Sequence, residues 1–176
     1  VWMLADNSSS MMERRGDLAE TAHSIAVASR HVQSLRLSFW AWSGAMLRVS
    51  RRSGDRPRSF SAARLWQTGG DPKDIWRLGR VSMGGTPDAH VMRWAVKAIL
   101  AETRQGETPV ILMMSDGSGV HDEDGKAVAD HVKDARRKGI KVVGISMGEA
   151  VGQKYLERTY GNGNYIEWKG SIRQMA

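Results

Sequence analysis

The residues best suited to chemistry lie in three short segments that are far apart in the sequence. Asp6 is followed by serines in "DNSSSM", Thr86 follows two glycines in "GGTP", and Asp116 follows the apolar run "VILMMS". Carboxylates and hydroxyls are hard oxygen ligands, and a site with few carboxylates that keeps several waters suits Mg²⁺ or Mn²⁺. Ser8 and Ser10, two residues apart in a loop, can turn their hydroxyls the same way. The three segments therefore have the chemistry of a divalent-cation site.

Other kinds of reactive site find no support in the sequence. The chain has no cysteine, which excludes disulfides and thiolate metal sites. It carries no Ser-His-Asp order with a nucleophile elbow, no G-x-x-x-x-G-K-S/T phosphate loop and no paired general acid and base. We therefore predict no catalytic residue in this chain.

Two polar stretches also have simpler interpretations. Ser10, which precedes Met11, could cap the first helix instead of binding a cation. The stretch "HDEDG" (121–125) departs from the order of ligands in a calcium-binding EF-hand, and we expect Asp122 or Glu123 to begin a helix.

Three apolar runs predict the strands at the centre of a parallel sheet. They are rich in β-branched residues or methionine, as strands buried on both faces are, and they span 1–5, 109–114 and 140–147. Apolar residues spaced by three and four predict amphipathic helices between these runs. The residues concerned are Leu18, Ala22, Ile25, Ser29 and Val32, then Val91, Trp94, Ala95 and Ala98, then Val128, Val132 and Ala135.

The edges of the sheet are predicted from weaker patterns. Residues 35–51 alternate around Ser43-Gly44, which predicts a hairpin and an antiparallel edge. The run "NYIEW" (164–168) predicts a strand at the other edge, and 52–83 is interpreted as a long connection with a short helix around Pro72 to Leu78. We expect both faces of the strand that contains Trp40 and Trp42 to be covered.

The order of these elements predicts a Rossmann-like, doubly wound and mostly parallel α/β sheet with helices on both faces. Ligands of such sheets bind beyond the carboxyl ends of the strands, at the switch point. Asp6 and Asp116 both follow a predicted strand directly, so the two carboxylates meet at one edge if those strands are neighbours.

The three segments resemble the metal-ion-dependent adhesion site (MIDAS) of von Willebrand factor type A (VWA) domains. That site has the pattern D-x-S-x-S followed by a distant Thr and a distant Asp, and this sequence matches all five positions. The resemblance implies a divalent cation, Mg²⁺ or Mn²⁺, and a partner protein whose carboxylate completes the coordination shell. The ligands that it implies are Asp6, Ser8, Ser10, Thr86 and Asp116, with Asn7 and Ser9 as spacers.

Within that family, "DNSSSM", "GGTPDAHVMRWA" and "MMSDGSGVHDEDG" look most like the CobT-type cobaltochelatase subunits. Those subunits carry a VWA domain at the end of a longer chain and work with a ring-forming AAA+ ATPase of the MoxR or chelatase type. The resemblance implies that residues 1–176 form a single VWA domain, with no catalytic role of its own. Because the chain begins at Val1 inside a predicted strand, we expect it to be the C-terminal part of a longer polypeptide.

Two other functions are weighed against this one. The net charge of +7, much of it between Arg48 and Arg64, would suit nucleic acid, but no recognised binding motif accompanies it, so a nucleic-acid partner is disfavoured. A bound cation could also activate water for phosphoester hydrolysis, although the sequence supplies no third acid near the motif. No apolar run is long enough to cross a membrane, and we expect a cytoplasmic location.

Overall fold

The fold is centred on one mixed sheet. The computed structural model describes residues 1–44, 60–81, 84–116, 122–147 and 153–168, without the side chains of 122–125. Six strands are described, in the order β3-β2-β1-β4-β5-β6. Their bounds are β1 Trp2–Asp6, β2 Ser38–Gly44, β3 Phe60–Gln67, β4 Val110–Ser115, β5 Lys141–Ser146 and β6 Tyr165–Glu167. All neighbouring strands are parallel except β2 and β3, which are antiparallel.

Helices cover both faces of the sheet. Two 3₁₀ helices span Ser9–Arg14 and Pro72–Arg80, and the α-helices are α1 Arg15–Ser29, α2 Asp88–Glu102, α3 Asp122–Arg137 and α4 Gln153–Tyr160. Helix α1 and the second 3₁₀ helix pack against one face, and α2, α3 and α4 pack against the other. The predicted doubly wound α/β fold is confirmed.

The alternation of side chains in β1 explains why two cores form. Trp2 and Leu4 point into the core shared with α2, α3 and α4, whereas Met3 and Ala5 point into the core shared with α1. Successive side chains of a strand face opposite sides of the sheet, so an unbroken apolar run is the pattern of a strand covered on both faces. The central strands predicted at 1–5, 109–114 and 140–147 are confirmed as β1, β4 and β5.

The predicted hairpin at Ser43-Gly44 is wrong. Both residues continue β2, which runs parallel to β1, and the antiparallel partner of β2 is β3, inside the stretch that was predicted to be a connection. Gly44 exchanges backbone hydrogen bonds with Gly85, so its small size serves a close approach between segments and not a turn. The second arm of the predicted hairpin, residues 45–51, lies outside the described residues.

Other predictions at the edges of the sheet are confirmed. Strand β6 forms the edge beyond β5, a 3₁₀ helix begins at Pro72, and α3 begins at Asp122. Both faces of β2 are covered: Phe39, Ala41 and Trp42 are fully buried and Trp40 packs against Trp2 and Trp94. In the part of the chain that the structure describes, no helix combines the length and apolarity needed to span a bilayer.

Candidate metal centre

Asp6 is the last residue of β1 and occupies the middle of the sheet. Strand β1 lies between β2 and β4, with Asp6 opposite Trp42 and Ala5 opposite Met114. Its carboxylate is completely buried. The Ser8 amide donates a hydrogen bond to Asp6 Oδ1 at 2.7 Å, and the Ser115 hydroxyl donates to Oδ2 at 3.1 Å. The backbone turn after β1 and the end of β4 thus fix the direction of this carboxylate.

The environment of Asp6 disfavours its negative charge. Burial, and to a lesser degree the charge of Asp116, raise the pKa of Asp6 to about 7, and hydrogen bonds from Ser8 and Ser115 only partly oppose the rise. Asp116 follows β4 directly and is also buried, so the predicted meeting of the two acids at one sheet edge is confirmed. A cation at this edge would relieve the cost of burying two neighbouring carboxylates.

The serine hydroxyls are arranged beside this pair of acids. Ser8 Oγ and Ser10 Oγ lie 2.9 Å apart; Ser8 is buried, whereas Ser9 and Ser10 are both exposed. Ser8 precedes the first 3₁₀ helix, but its side chain makes no capping hydrogen bond there. Ser10 lies inside that 3₁₀ helix, and α1 begins only at Arg15. The alternative interpretation of Ser10 as the cap of the first α-helix is therefore wrong.

The segment that precedes Thr86 is brought against the serine loop by two glycines. The Ser9 amide donates to the Gly84 carbonyl at 3.1 Å, and Gly85 exchanges hydrogen bonds with Gly44 at 2.8 and 3.2 Å. A Cβ atom on Gly84 would lie 1.7 Å from the Gly44 carbonyl oxygen, so only glycine fits this position. Thr86 follows directly and is partly exposed. The structure thus brings all three predicted segments to one edge of the sheet.

Asn7 was predicted to be a spacer between two ligands, and the structure shows that its side chain also has a structural role. Its side chain is fully buried, its Oδ1 accepts a hydrogen bond from Arg15 Nε at 2.7 Å, and its Nδ2 donates to the Val81 carbonyl at 3.1 Å. Its amide donates to the Trp42 carbonyl at 2.8 Å. Asn7 therefore ties the ligand loop to β2 and to the second 3₁₀ helix.

Two further polar residues at the centre were not singled out from the sequence. Ser115 orients Asp6, and Asp88, in the first turn of α2, is a third buried acid. Asp88 and Ser115 line one small cavity of about 10 Å³. Burial and the nearby charge of Asp88 raise the pKa of Tyr160. Asp88 was not noticed because an acid is the ordinary residue type in the first turn of a helix.

The donor set fits a hard cation better than a soft one. Across the described residues, no three His, Cys, Asp or Glu side chains are grouped so that they could hold a metal. A cation at this edge would therefore depend on hydroxyl oxygens as much as on carboxylates, which suits Mg²⁺ or Mn²⁺. The predicted ligands are Asp6, Ser8, Ser10, Thr86 and Asp116, and the structure brings the three segments that carry them to this edge of the sheet.

Comparison with known proteins identifies the fold. No protein-family model and no curated protein sequence matches the chain. Among solved structures, BatB from Bacteroides thetaiotaomicron superposes with a TM-score of 0.65 at 15% identity, covering 98% of this chain and 91% of BatB. Manganese-loaded TRAP from Plasmodium vivax superposes with a TM-score of 0.64 at 12% identity, covering 99% and 68% of the two chains.

A third structure is proximal thread matrix protein 1 from the mussel byssus, in a form with a zinc-occupied MIDAS motif. It superposes with a TM-score of 0.64 at 13% identity, covering 99% of this chain and 44% of its own. Such low identities carry information on fold alone. Together with the strand order and the helices on both faces, these similarities show that this chain has the VWA fold.

Proposed function

We propose that this chain is a protein-binding module that depends on a divalent cation. The cation is held by Asp6, Ser8, Ser10, Thr86 and Asp116, and its remaining coordination position accepts an acidic side chain of a partner protein. When bound, the ion supplies a positive charge at the carboxyl end of the sheet. The module itself catalyses no reaction.

One observation carries the proposal. Asp6 and Asp116 are buried together at the end of neighbouring strands, and the groups that lower the pKa of Asp6 are serine hydrogen-bond donors. A buried carboxylate is normally stabilised by a paired cation or a metal. An external cation next to the Ser8 and Ser10 hydroxyls would be a natural counter-charge for the buried Asp6 carboxylate.

We propose further that the ion is Mg²⁺ or Mn²⁺ and that the partner is an AAA+ ATPase of the MoxR or chelatase type. The support is the resemblance of the three ligand segments to CobT-type cobaltochelatase subunits. The proposal includes a cytoplasmic location, where such an ATPase has access to ATP. The parent protein would then be a non-catalytic subunit of a cobaltochelatase-like complex.

Calorimetry tests the cation site. Titration of Mg²⁺ and of Mn²⁺ should give saturable binding to the wild-type protein, whereas Asp6→Ala should weaken binding by about 100-fold or more because a ligand is lost. Ser9→Ala is the matched control, since Ser9 lies between two proposed ligands with its side chain exposed. Equal and negligible heats for wild type and Asp6→Ala would contradict the proposal.

The partner is tested separately, by capture of a purified MoxR- or chelatase-type ATPase on the immobilised protein. Capture should require Mg²⁺ or Mn²⁺, should be reversed by a chelator and should be lost in Asp6→Ala. Capture that is insensitive to the chelator would contradict a cation-bridged contact, even if calorimetry shows that the cation binds.

A further inference from the structure

The guanidinium of Arg15 joins two of the segments that form the candidate metal centre. Its Nε donates to Asn7 Oδ1 at 2.7 Å, and its Nη2 donates to the carbonyls of Leu78 and Val81 at 2.9 and 2.7 Å. Asn7 Nδ2 also donates to the Val81 carbonyl. The side chains of Arg15 and Asn7 thus connect the loop after β1 to the end of the second 3₁₀ helix.

The position of Arg15 in α1 does not explain why an arginine occupies it. Arg15 is the first residue of α1, and positive charge at the amino end of a helix is unfavourable because it opposes the helix dipole. Its acceptors, in contrast, include the Leu78 and Val81 carbonyls at the carboxyl end of another helix, where a cation is favourable. The contacts with the second 3₁₀ helix therefore explain the arginine.

The residues that Arg15 contacts on both segments lie within a few residues of proposed ligands in the sequence. Asn7 lies between Asp6 and Ser8, and Val81 lies five residues before Thr86. Beyond Val81, the segment is held again where Gly84 accepts from Ser9 and Gly85 pairs with Gly44. Arg15 thus anchors one end of the segment that leads to Thr86, and the glycine pair anchors the other.

We propose that Arg15 is a positioning residue of the metal centre: acting through Asn7, Leu78 and Val81, it holds the Thr86 segment in register with the Asp6–Ser8 loop. Its effect on cation affinity rests on the proposed function, whereas its effect on the segment does not. Arg15 itself does not bind the cation. Loss of such an outer contact should weaken cation binding by about tenfold, the lower end of the range for groups that orient metal ligands.

The test compares Arg15→Met and Arg15→Lys with Arg14→Met. Methionine keeps the aliphatic length without the donors, and lysine keeps the charge but lacks the planar fork that reaches several acceptors at once. Arg14→Met removes the same charge one residue away, and the described residues include no hydrogen-bond acceptor for the Arg14 side chain. Hydrogen–deuterium exchange of the cation-free proteins then reports on the Val81 and Gly85 amides, which bond to Leu78 and Gly44.

Arg15→Met should speed exchange at Val81 and Gly85 about tenfold or more without a matching change in α3, and Arg15→Lys should fall between it and wild type. Arg14→Met should behave as wild type. Saturating Mn²⁺ should restore protection in Arg15→Met, because cation binding and segment ordering are thermodynamically linked. Calorimetry should show Mn²⁺ affinity about tenfold weaker in Arg15→Met and unchanged in Arg14→Met.

The outcomes separate this proposal from the one on which it rests. Unchanged exchange at Val81 and Gly85 in both Arg15 variants would overturn the positioning role, whatever the cation affinity. If the wild-type protein binds neither Mg²⁺ nor Mn²⁺, the proposed function fails, and faster exchange in the Arg15 variants would still establish the contact as the anchor. If Arg15→Met does not fold, Arg15→Lys decides the result by the same two measurements.

Discussion

The pKa values of acidic residues are shifted in opposite directions at the two ends of the sheet. At the amino end, Glu107 is exposed and forms a two-pronged ion pair with Arg36, one prong being the 2.7 Å hydrogen bond from Arg36 Nε to Glu107 Oε1. The hydrogen bonds from Arg36 and from the Arg104 amide lower the pKa of Glu107 to about 2. At the carboxyl end, burial raises the pKa of Asp6 to about 7.

The difference shows at which end of the sheet the protein supplies its own counter-charge. Glu107 has an arginine, so its charge is balanced in the isolated chain. Asp6 and Asp116 are buried, and what favours the Asp6 carboxylate is a set of serine donors. A chain that pairs the exposed Glu107 with an arginine, and stabilises the buried Asp6 with serine amide and hydroxyl donors, is suited to take up a cation at the buried end.

Among the variants considered, Asp6→Asn is expected to change stability and its dependence on the cation most. The cation should stabilise the wild-type protein by about 2.7 kcal/mol at a concentration of 100 Kd, and this gain should vanish in the variant. The cation-free variant should instead melt higher than wild type at pH 8, because a neutral amide can accept from the Ser8 amide and donate to the Ser115 hydroxyl without a buried charge. Thermal melts with and without Mn²⁺ measure both effects. A cation-free variant that melts lower than wild type at pH 8 would show that the buried carboxylate is not a cost.

Gly84→Ala should disturb the same end of the sheet without removing any ligand. Its Cβ would lie 1.7 Å from the Gly44 carbonyl oxygen, so the two segments must separate, at a cost of about 1–3 kcal/mol in the free energy of unfolding. Cation affinity should fall as well, because Thr86 lies only two residues after Gly84. Urea unfolding and calorimetry measure the two changes.

Gly16→Ala is the matched control for Gly84→Ala. Apart from its neighbours along the helix, no heavy atom of the described residues lies within 4 Å of an added Cβ, and in a helix alanine is more stable than glycine by about 0.5–1 kcal/mol. Equal unfolding free energies for the two glycine variants would mean that the contact between Gly84 and Gly44 is not tight.

The pH dependence of cation binding should follow the raised pKa of Asp6. Because the folded carboxyl holds its proton up to about pH 7 and the unfolded one only to about 3.8, its contribution to folding is present at low pH and is lost as pH rises through 7. A cation must displace that proton, so its apparent affinity should fall by about tenfold per pH unit below 7. Calorimetry with Mn²⁺ between pH 5.5 and 8 checks this, and an affinity that is constant over that range would contradict it.

The smallest effect is expected at the amino end. Glu107→Gln removes an exposed ion pair, and pairs of this kind contribute little to stability in water. The lowered pKa of Glu107 means that its small contribution is present above the unfolded value of 4.5 and is lost as pH falls through about 2. A thermal melt at pH 7 should be unchanged within error, and cation affinity should equal that of wild type. A loss of cation affinity in this variant would show that the two ends of the sheet are coupled.

The central strands and the site edge could be predicted because their pattern is local. Apolar runs identify buried strands, and Asp6 and Asp116 follow those runs directly. Strand β3 was missed since its sequence "FSAARLWQ" is that of a half-exposed edge, where polar and charged residues interrupt the alternation. Gly44 was misinterpreted because a glycine needed for close approach to Gly85 looks, in sequence, like a glycine in a turn.

The role of Asn7 could not be predicted for a related reason. Asparagine is common in loops through local hydrogen bonds, so a spacer was the simplest interpretation. Its actual partners include the side chain of Arg15 and the carbonyl of Val81, and the second of these is 74 residues away. No spacing rule connects residues at that distance, since only the folded sheet brings them together.

The parallel pairing of β1 has a consequence for synthesis of the chain. Ala5 pairs with Met114, so β1 leaves the ribosome about a hundred residues before the strand that covers its second edge. At 5–20 residues per second the delay is roughly 5–20 s. During this time an apolar strand with an unpaired edge is open to other chains, and β1 is where we expect a nascent form of this protein to aggregate or to engage a chaperone.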